Sequence, residues 1–132
     1  MQFSDAEFLI KAAANTTGGA FSIIEEIAPL DTPLHVREHE DEIFYILERE
    51  HIIEVGHQTF EVGPGDLVFG PRGVPHAQRR VVARAGRLLA LFTPSGFEGF
   101  LRDLAEAERA GEPQAAAYAR VSTKYAITWL DR

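Results

Sequence analysis

Pro33-Leu34-His35-Val36-Arg37-Glu38-His39-Glu40-Asp41-Glu42-Ile43-Phe44-Tyr45-Ile46-Leu47 is the stretch on which the fold turns. On a strand alternate residues share a face. His35 and Arg37 therefore point the same way, and a reversal at the acidic turn over 38–41 returns Glu42 to face them, with Phe44 and Ile46 continuing on that face. A polar mouth over an apolar floor is the plan of a small-ligand pocket. Arg37, Phe44 and Ile46 are its expected pocket residues. Tyr45 and Leu47 fall on the opposite face, which in an open sandwich packs against a partner, so a homodimer is expected.

Working outward, residues 7 to 92 break into short segments rich in Val, Ile, Phe and Leu, separated by Gly, Pro and Asp. Strands are expected over 7–13, 19–28, 34–37, 42–48, 51–55, 58–62, 66–69, 76–82 and 87–92, the even spacing of an all-β sandwich or barrel. Gly56-His57 and Gly63-Pro64-Gly65-Asp66 supply turns, because Gly tolerates positive φ and Pro fixes its own. Phe44, Phe60, Phe69 and Phe92 are expected in the core. His39, His51 and His57 read most simply as exposed.

A second stretch, Gly65-Asp66-Leu67-Val68-Phe69-Gly70-Pro71-Arg72-Gly73-Val74-Pro75-His76, ends in an imidazole at the start of the next strand. No helix pattern follows its glycines, so a phosphate-cradling loop is not indicated. His35, Glu42 and His76 converging inside a barrel form a facial set of two imidazoles and one carboxylate, suited to Fe(II) with positions left open. His39 shares the parity of His35 and Arg37 if that strand runs on, and is a further candidate ligand. For any one of these residues the plainer reading is a satisfied core histidine or a surface carboxylate; their joint spacing favours the site.

After Thr93 the period changes. Ser95 and Glu98 have capping-box spacing, and Phe97, Phe100, Leu101 and Leu104 follow at helical intervals, with Gly111 as the stop. A second helix is expected from Pro113 to about Lys124, with Tyr118, Val121 and Tyr125 on one side. Residues 126–130 then read as a docking segment, and the helices cover an open side of the barrel.

Composition bounds the chemistry. With 132 residues, 45% of them hydrophobic, the chain suits one domain with a continuous core, here a barrel over about 7–93 and a helical extension over about 95–132. Without cysteine, any metal must be held by imidazole and carboxylate. A net charge of −7 argues against nucleic acid, and the basic cluster Arg79, Arg80, Arg84 and Arg87 reads as a solvated face with an anion contact as its alternative. Met1 to Ala14, with Asp5 and Glu7, lacks the basic front of a secretory signal, and no apolar run approaches the ~20 residues of a membrane span, so a cytoplasmic protein is expected.

These residues resemble a known family. The first stretch is similar to the first cupin motif, G-x5-H-x-H-x3-4-E-x6-G, and the second matches G-x5-P-x-G-x2-H of the second motif from Gly65 through Pro71 and Gly73 to His76. Residues 42–48 and 93–98 are similar to small cupins of the quercetin 2,3-dioxygenase-like type. The resemblance covers roughly residues 17 to 100. It implies a double-stranded β-helix, or jelly roll, with C-terminal helices, and a divalent transition metal (Fe, Mn, Ni, Cu or Zn) held by His35, Glu42 and His76.

Three positions depart from the motifs: Arg37 replaces the second histidine, Arg49 the closing glycine, and Arg80 the final asparagine. Arg37 bears most on function, since its guanidinium repels a divalent cation and is shaped to pair with a carboxylate such as Glu42. Pairing there would withdraw Glu42 from a metal. Two principal functions follow: a metal-dependent dioxygenase or isomerase-like enzyme acting on a small aromatic or carbonyl compound, or a metal-free module that captures a small organic anion with Arg37, His35 and His76. A purely structural β-domain gives no reason for polar groups on an inward face.

Overall fold

The computed structural model describes residues 6–82 and 85–130, together with the backbone of a short strand β1 (Gln2–Phe3). Asp5 and Arg84 lie outside the described residues. The chain continues through β2 (Ala6–Ala12), α1 (Ala14–Thr17), β3 (Ser22–Ile27), β4 (His35–Arg37), β5 (Asp41–Glu48), β6 (His51–Val55), β7 (Gln58–Val62), β8 (Leu67–Gly70), β9 (His76–Arg80) and β10 (Arg87–Thr93). It ends with α2 (Phe97–Arg109), α3 (Gln114–Lys124) and β11 (Ile127–Trp129). The strands form a six-stranded sheet in the order β1-β2-β3-β10-β5-β8 and a five-stranded sheet in the order β11-β4-β9-β6-β7. This is the expected jelly roll with C-terminal helices.

Strict alternation drives the packing. On β5 the inward set is Glu42, Phe44 and Ile46, and on β10 it is Leu88, Ala90 and Phe92; these, with Ile24 and Ile53, fill the space between the sheets. Phe44 and Phe92 are buried as expected, but Phe69 is 51% exposed. It shares the outer face of β8 with Leu67 because the inward positions of that short strand are Val68 and Gly70. His51, expected at the surface, is also buried; its Nε2 lies 3.1 Å from the Glu48 carbonyl, at the end of the barrel away from His35.

Arg49 occupies the motif's glycine position between β5 and β6 and keeps the glycine-like backbone, with φ +67°. The turn's geometry thus outlasts its usual residue, at a cost of about 1–2 kcal/mol for a side chain in the left-handed region.

Helix α2 begins with Gly96 as its cap, so Ser95 does not form the expected capping box. Glu98 is instead buried, accepting hydrogen bonds from the Ala14 and Gly96 amides and the Ser22 hydroxyl, and so ties α2 to α1 and β3. Phe97, Phe100, Leu101 and Leu104 turn toward the barrel and close its open side. The tail docks as expected, in the form of β11: Trp129 pairs with His35 in the ladder, and the Leu130 amide donates to the Leu34 carbonyl at 2.8 Å. Among the described residues no helix is long and apolar enough to cross a membrane. Arg79 and Arg87 engage carboxylates, Glu54 at 3.0 Å and the buried Glu25 at 2.6 Å.

Candidate metal centre

Two sheets supply the centre. His35 and His76 are direct cross-strand partners on β4 and β9, with ring centroids 4.4 Å apart. Glu42 comes from β5 of the opposite sheet, so it meets the imidazoles across the interior. All three are buried, and one ligand atom from each lies within 4.8 Å of the others. Gly70, opposite Glu42 on β8, leaves room there: a Cβ would sit 3.4 Å from the Glu42 carbonyl and 3.7 Å from the His76 ring.

The backbone orients both rings. His35 Nδ1 lies 2.8 Å from the Pro33 carbonyl and donates to it, which places the lone pair on Nε2. That Nε2 is buried and has no hydrogen-bond partner among the described residues. Burial, with the neighbouring Arg37 and His76, pushes the His35 imidazolium down to about 3, so the ring is neutral at physiological pH and ready to ligate. His76 Nε2 lies 3.0 Å from Glu42 Oε1, while its Nδ1 faces the Val74 carbonyl at 3.4 Å. A carboxylate only accepts, so Nε2 carries the proton in the bond to Glu42; a cation there would take that proton's place, with the proton moved to Nδ1, at the same point as His35 Nε2.

Arg37 points inward. Its Nε donates to Glu42 Oε1 at 3.1 Å, Nη1 reaches Glu40 at 3.5 Å, and the guanidinium lies 4.1 Å from the Phe97 ring centroid and 5.0 Å from that of Phe92. Burial would raise the Glu42 carboxyl, but Arg37 and the bond to His76 outweigh it and hold the group below its ordinary value. Both bonds fall on Oε1, leaving Oε2 unengaged among the described residues. His39 does not join the cluster: β4 ends at Arg37, the parity is lost, and His39 sits exposed on the bend beyond.

The donor set fits a divalent cation, with two imidazole nitrogens, a carboxylate and an orphaned lone pair among them. Charge points the same way. Three buried carboxyls, Glu26, Glu40 and Glu42, stand against one guanidinium in and behind the cavity wall, an excess of two negative charges if all ionise. Burial keeps Glu40 above its ordinary value and, with help from Glu42, lifts Glu26 to about 7. A divalent cation would neutralise that excess.

Glu26 and Gln78 are site residues absent from the sequence-based expectations. Parity held the signal: Glu26 shares the face of Ser22 and Ile24 on β3, and Gln78 that of His76 on β9. Gln78 Nε2 donates to Glu26 Oε1 at 3.0 Å. Both line a cavity of about 80 Å³ together with His35, Arg37, Glu42 and Phe44. Ile46 is buried below that lining and belongs to the core. Trp129 forms one wall, 4.8 Å from the His35 ring.

A family model described as the cupin domain matches residues 23–92. Quercetin 2,3-dioxygenase of Bacillus subtilis (strain 168) is 27% identical over 118 residues, covering 85% of this chain and 35% of that protein, so the chain spans about a third of the relative's length. KdgF from Halomonas sp. aligns with a TM-score of 0.62 at 16% identity, over 72% of this chain and 84% of that one. A predicted oxalate decarboxylase from Thermotoga maritima aligns with a TM-score of 0.58 at 22% identity, over 67% and 80%. At such identities the two structures speak to the fold alone.

Proposed function

The chain belongs to the cupin family, and from that premise we propose that it binds a divalent transition metal through His35, Glu42 and His76 and acts on a small organic compound in the cavity beside them. The observation that carries the proposal is the buried, unpartnered Nε2 of His35 within ligating reach of Glu42 and His76. Burying a nitrogen lone pair with no partner costs free energy, which an ion would recover. The relative's dioxygenase activity makes an oxygenase a reasonable reaction class, with an isomerase-like reaction as the other. Quercetin itself, a flavonoid, is far larger than a cavity of about 80 Å³, which holds about six water-sized groups.

Bound there, the metal would supply Lewis acidity and open positions for a ligand oxygen. The remaining roles belong to the chain. The Pro33 carbonyl holds the His35 tautomer through Nδ1, and the Val74 carbonyl would accept from His76 Nδ1 once a metal occupied Nε2. Arg37 fixes Glu42 through Oε1. Phe97, Phe100, Leu104 and Trp129 exclude water from the apolar side.

The single tryptophan gives a direct test. Trp129 packs on His35, so Ni²⁺ or Co²⁺ at the centre should quench its fluorescence with one-to-one stoichiometry, and His35→Ala and His76→Ala should abolish the quench. Quenching that survives both substitutions would place the ion elsewhere and sink the proposal.

One observation favours a second reading, a metal-free pocket for a small organic anion: Arg37 stands at a motif ligand position and already pairs with Glu42. The buried carboxyls oppose it when ionised, since an added anion would then deepen the negative charge. On this second reading the same titration shows no quench, and a carboxylate ligand binds in the presence of chelator.

A further inference from the structure

Of the five buried carboxylates among the described residues, Glu25, Glu26 and Glu98 are almost equally buried, yet they differ in one respect. Glu25 uses both oxygens, Oε1 toward Lys11 and Oε2 toward Arg87. Glu98 also uses both, Oε1 toward the Ala14 amide and Oε2 toward Ser22 and Gly96. Glu26 engages only Oε1, with Gln78, and its Oε2 has no partner among the described residues although the side chain lines the cavity and is only 5% exposed. Glu26 thus offers the cavity a free acceptor oxygen that Glu25 and Glu98 do not.

Its position is fixed with care. Gln78 donates to Glu26 and to the Leu30 carbonyl, and the Gln78 backbone is held at both ends by Thr32, whose hydroxyl accepts from the Gln78 amide and whose own amide donates to the Gln78 carbonyl. Gln78 and His76 are alternate residues of β9 on one face, so the Glu26 subsite lies about 7 Å along the strand from the His76 backbone. Phe8, Phe100 and Leu104 wall the space between and offer no competing charge.

We infer that Glu26, held by Gln78, is the specificity-determining residue at the far end of the cavity, accepting a hydroxyl or ammonium hydrogen from a short ligand whose other end is an oxygen at the His35, Glu42 and His76 centre. The inference rests on the metal reading above and names its ligand class: small, oxygen-tipped at one end and donor-tipped at the other.

The test uses the whole chain loaded with Ni²⁺ and two isosteric probes, 3-hydroxypropionate and butyrate, which differ by a hydroxyl in place of a methyl. Calorimetric titration should give the hydroxy acid at least a ~10-fold advantage, since a site built around an acceptor rejects the analogue that cannot donate. Glu26→Met keeps a similar length but removes the acceptor and offers no donor to a hydroxyl, so the ratio should fall toward one while Ni²⁺ binding persists. Glu26→Asp withdraws the carboxylate by one methylene and should lower the ratio several-fold, which serves should the methionine variant not fold. A wild-type ratio of one, binding of neither probe, or a ratio unchanged in these variants overturns the inference. Wild type that takes up no Ni²⁺ overturns the metal reading together with it, whereas Ni²⁺ uptake with a ratio of one overturns this inference alone.

Discussion

Replacing Arg37 by histidine isolates the most unusual feature of the centre. The guanidinium Nε is 3.1 Å from Glu42 Oε1, and the three ligand atoms lie within 4.8 Å of one another, so a cation among them sits near the guanidinium. At a separation of ~5 Å and an effective dielectric of ~20, a divalent ion and the guanidinium repel by about 7 kcal/mol. Side-chain relaxation and the loss of Glu40's partner offset part of this; taking half, Arg37→His should bind Ni²⁺ about 300-fold more tightly than wild type. Without metal the variant should be less stable by about 3 kcal/mol, because a buried ion pair loses one partner and the stacking on Phe97 is lost. Trp129 quenching in competition with a chelator reads the affinity, and urea unfolding in EDTA reads the stability. A variant that binds Ni²⁺ no more tightly than wild type would refute the idea that Arg37 opposes the metal.

Further outcomes follow from the same contacts. Glu26, lifted from 4.5 to about 7, keeps a proton in the folded state that the unfolded chain releases, so metal-free protein should lose stability as pH rises from 4.5 to 7. Glu26→Gln removes that loss, and its advantage over wild type in urea should grow with pH to at most about 3 kcal/mol above pH 7; a pH-independent difference contradicts the assignment. The lowered His35 value makes both proteins lose stability below pH 6.5 and cancels in that comparison. Arg49→Gly should stabilise by about 1 kcal/mol in thermal unfolding, because glycine takes φ +67° without strain; destabilisation would show that the Arg49 side chain contributes more than its backbone costs. We also propose that a second copy covers the outer face where Tyr45 lies beside Leu67, 36% and 61% exposed, with Phe69 next to them. Sedimentation should show a dimer that Leu67→Asp with Phe69→Asp dissociates, and a monomeric wild type would count against it.

Period-two parity made most of the site legible. It placed Glu42 and Phe44 on one face and turned that face toward His35, and the glycine and proline signals located the turns that return His76 to them. Parity failed where a strand ended early, as at His39, and where a short strand buried a glycine rather than its aromatic, as at Phe69. The direction of Arg37 was beyond reach, because it depends on Glu40, Phe97 and Phe92 meeting it from three separate elements. Glu26 was accessible to the same parity argument, but a lone carboxylate in Ser22–Ile27 carries no spacing signal to mark it. Trp129 became part of the centre only through the pairing of β11 with β4, a contact between residues far apart in sequence.

An anomalous-difference map from crystals of untagged protein grown with Mn²⁺ or Ni²⁺ addresses the central claim most directly. One strong peak should lie about 2.0–2.2 Å from His35 Nε2, His76 Nε2 and a Glu42 oxygen. A barrel centre without a peak, with Arg37 and His76 still bonded to Glu42, would contradict it.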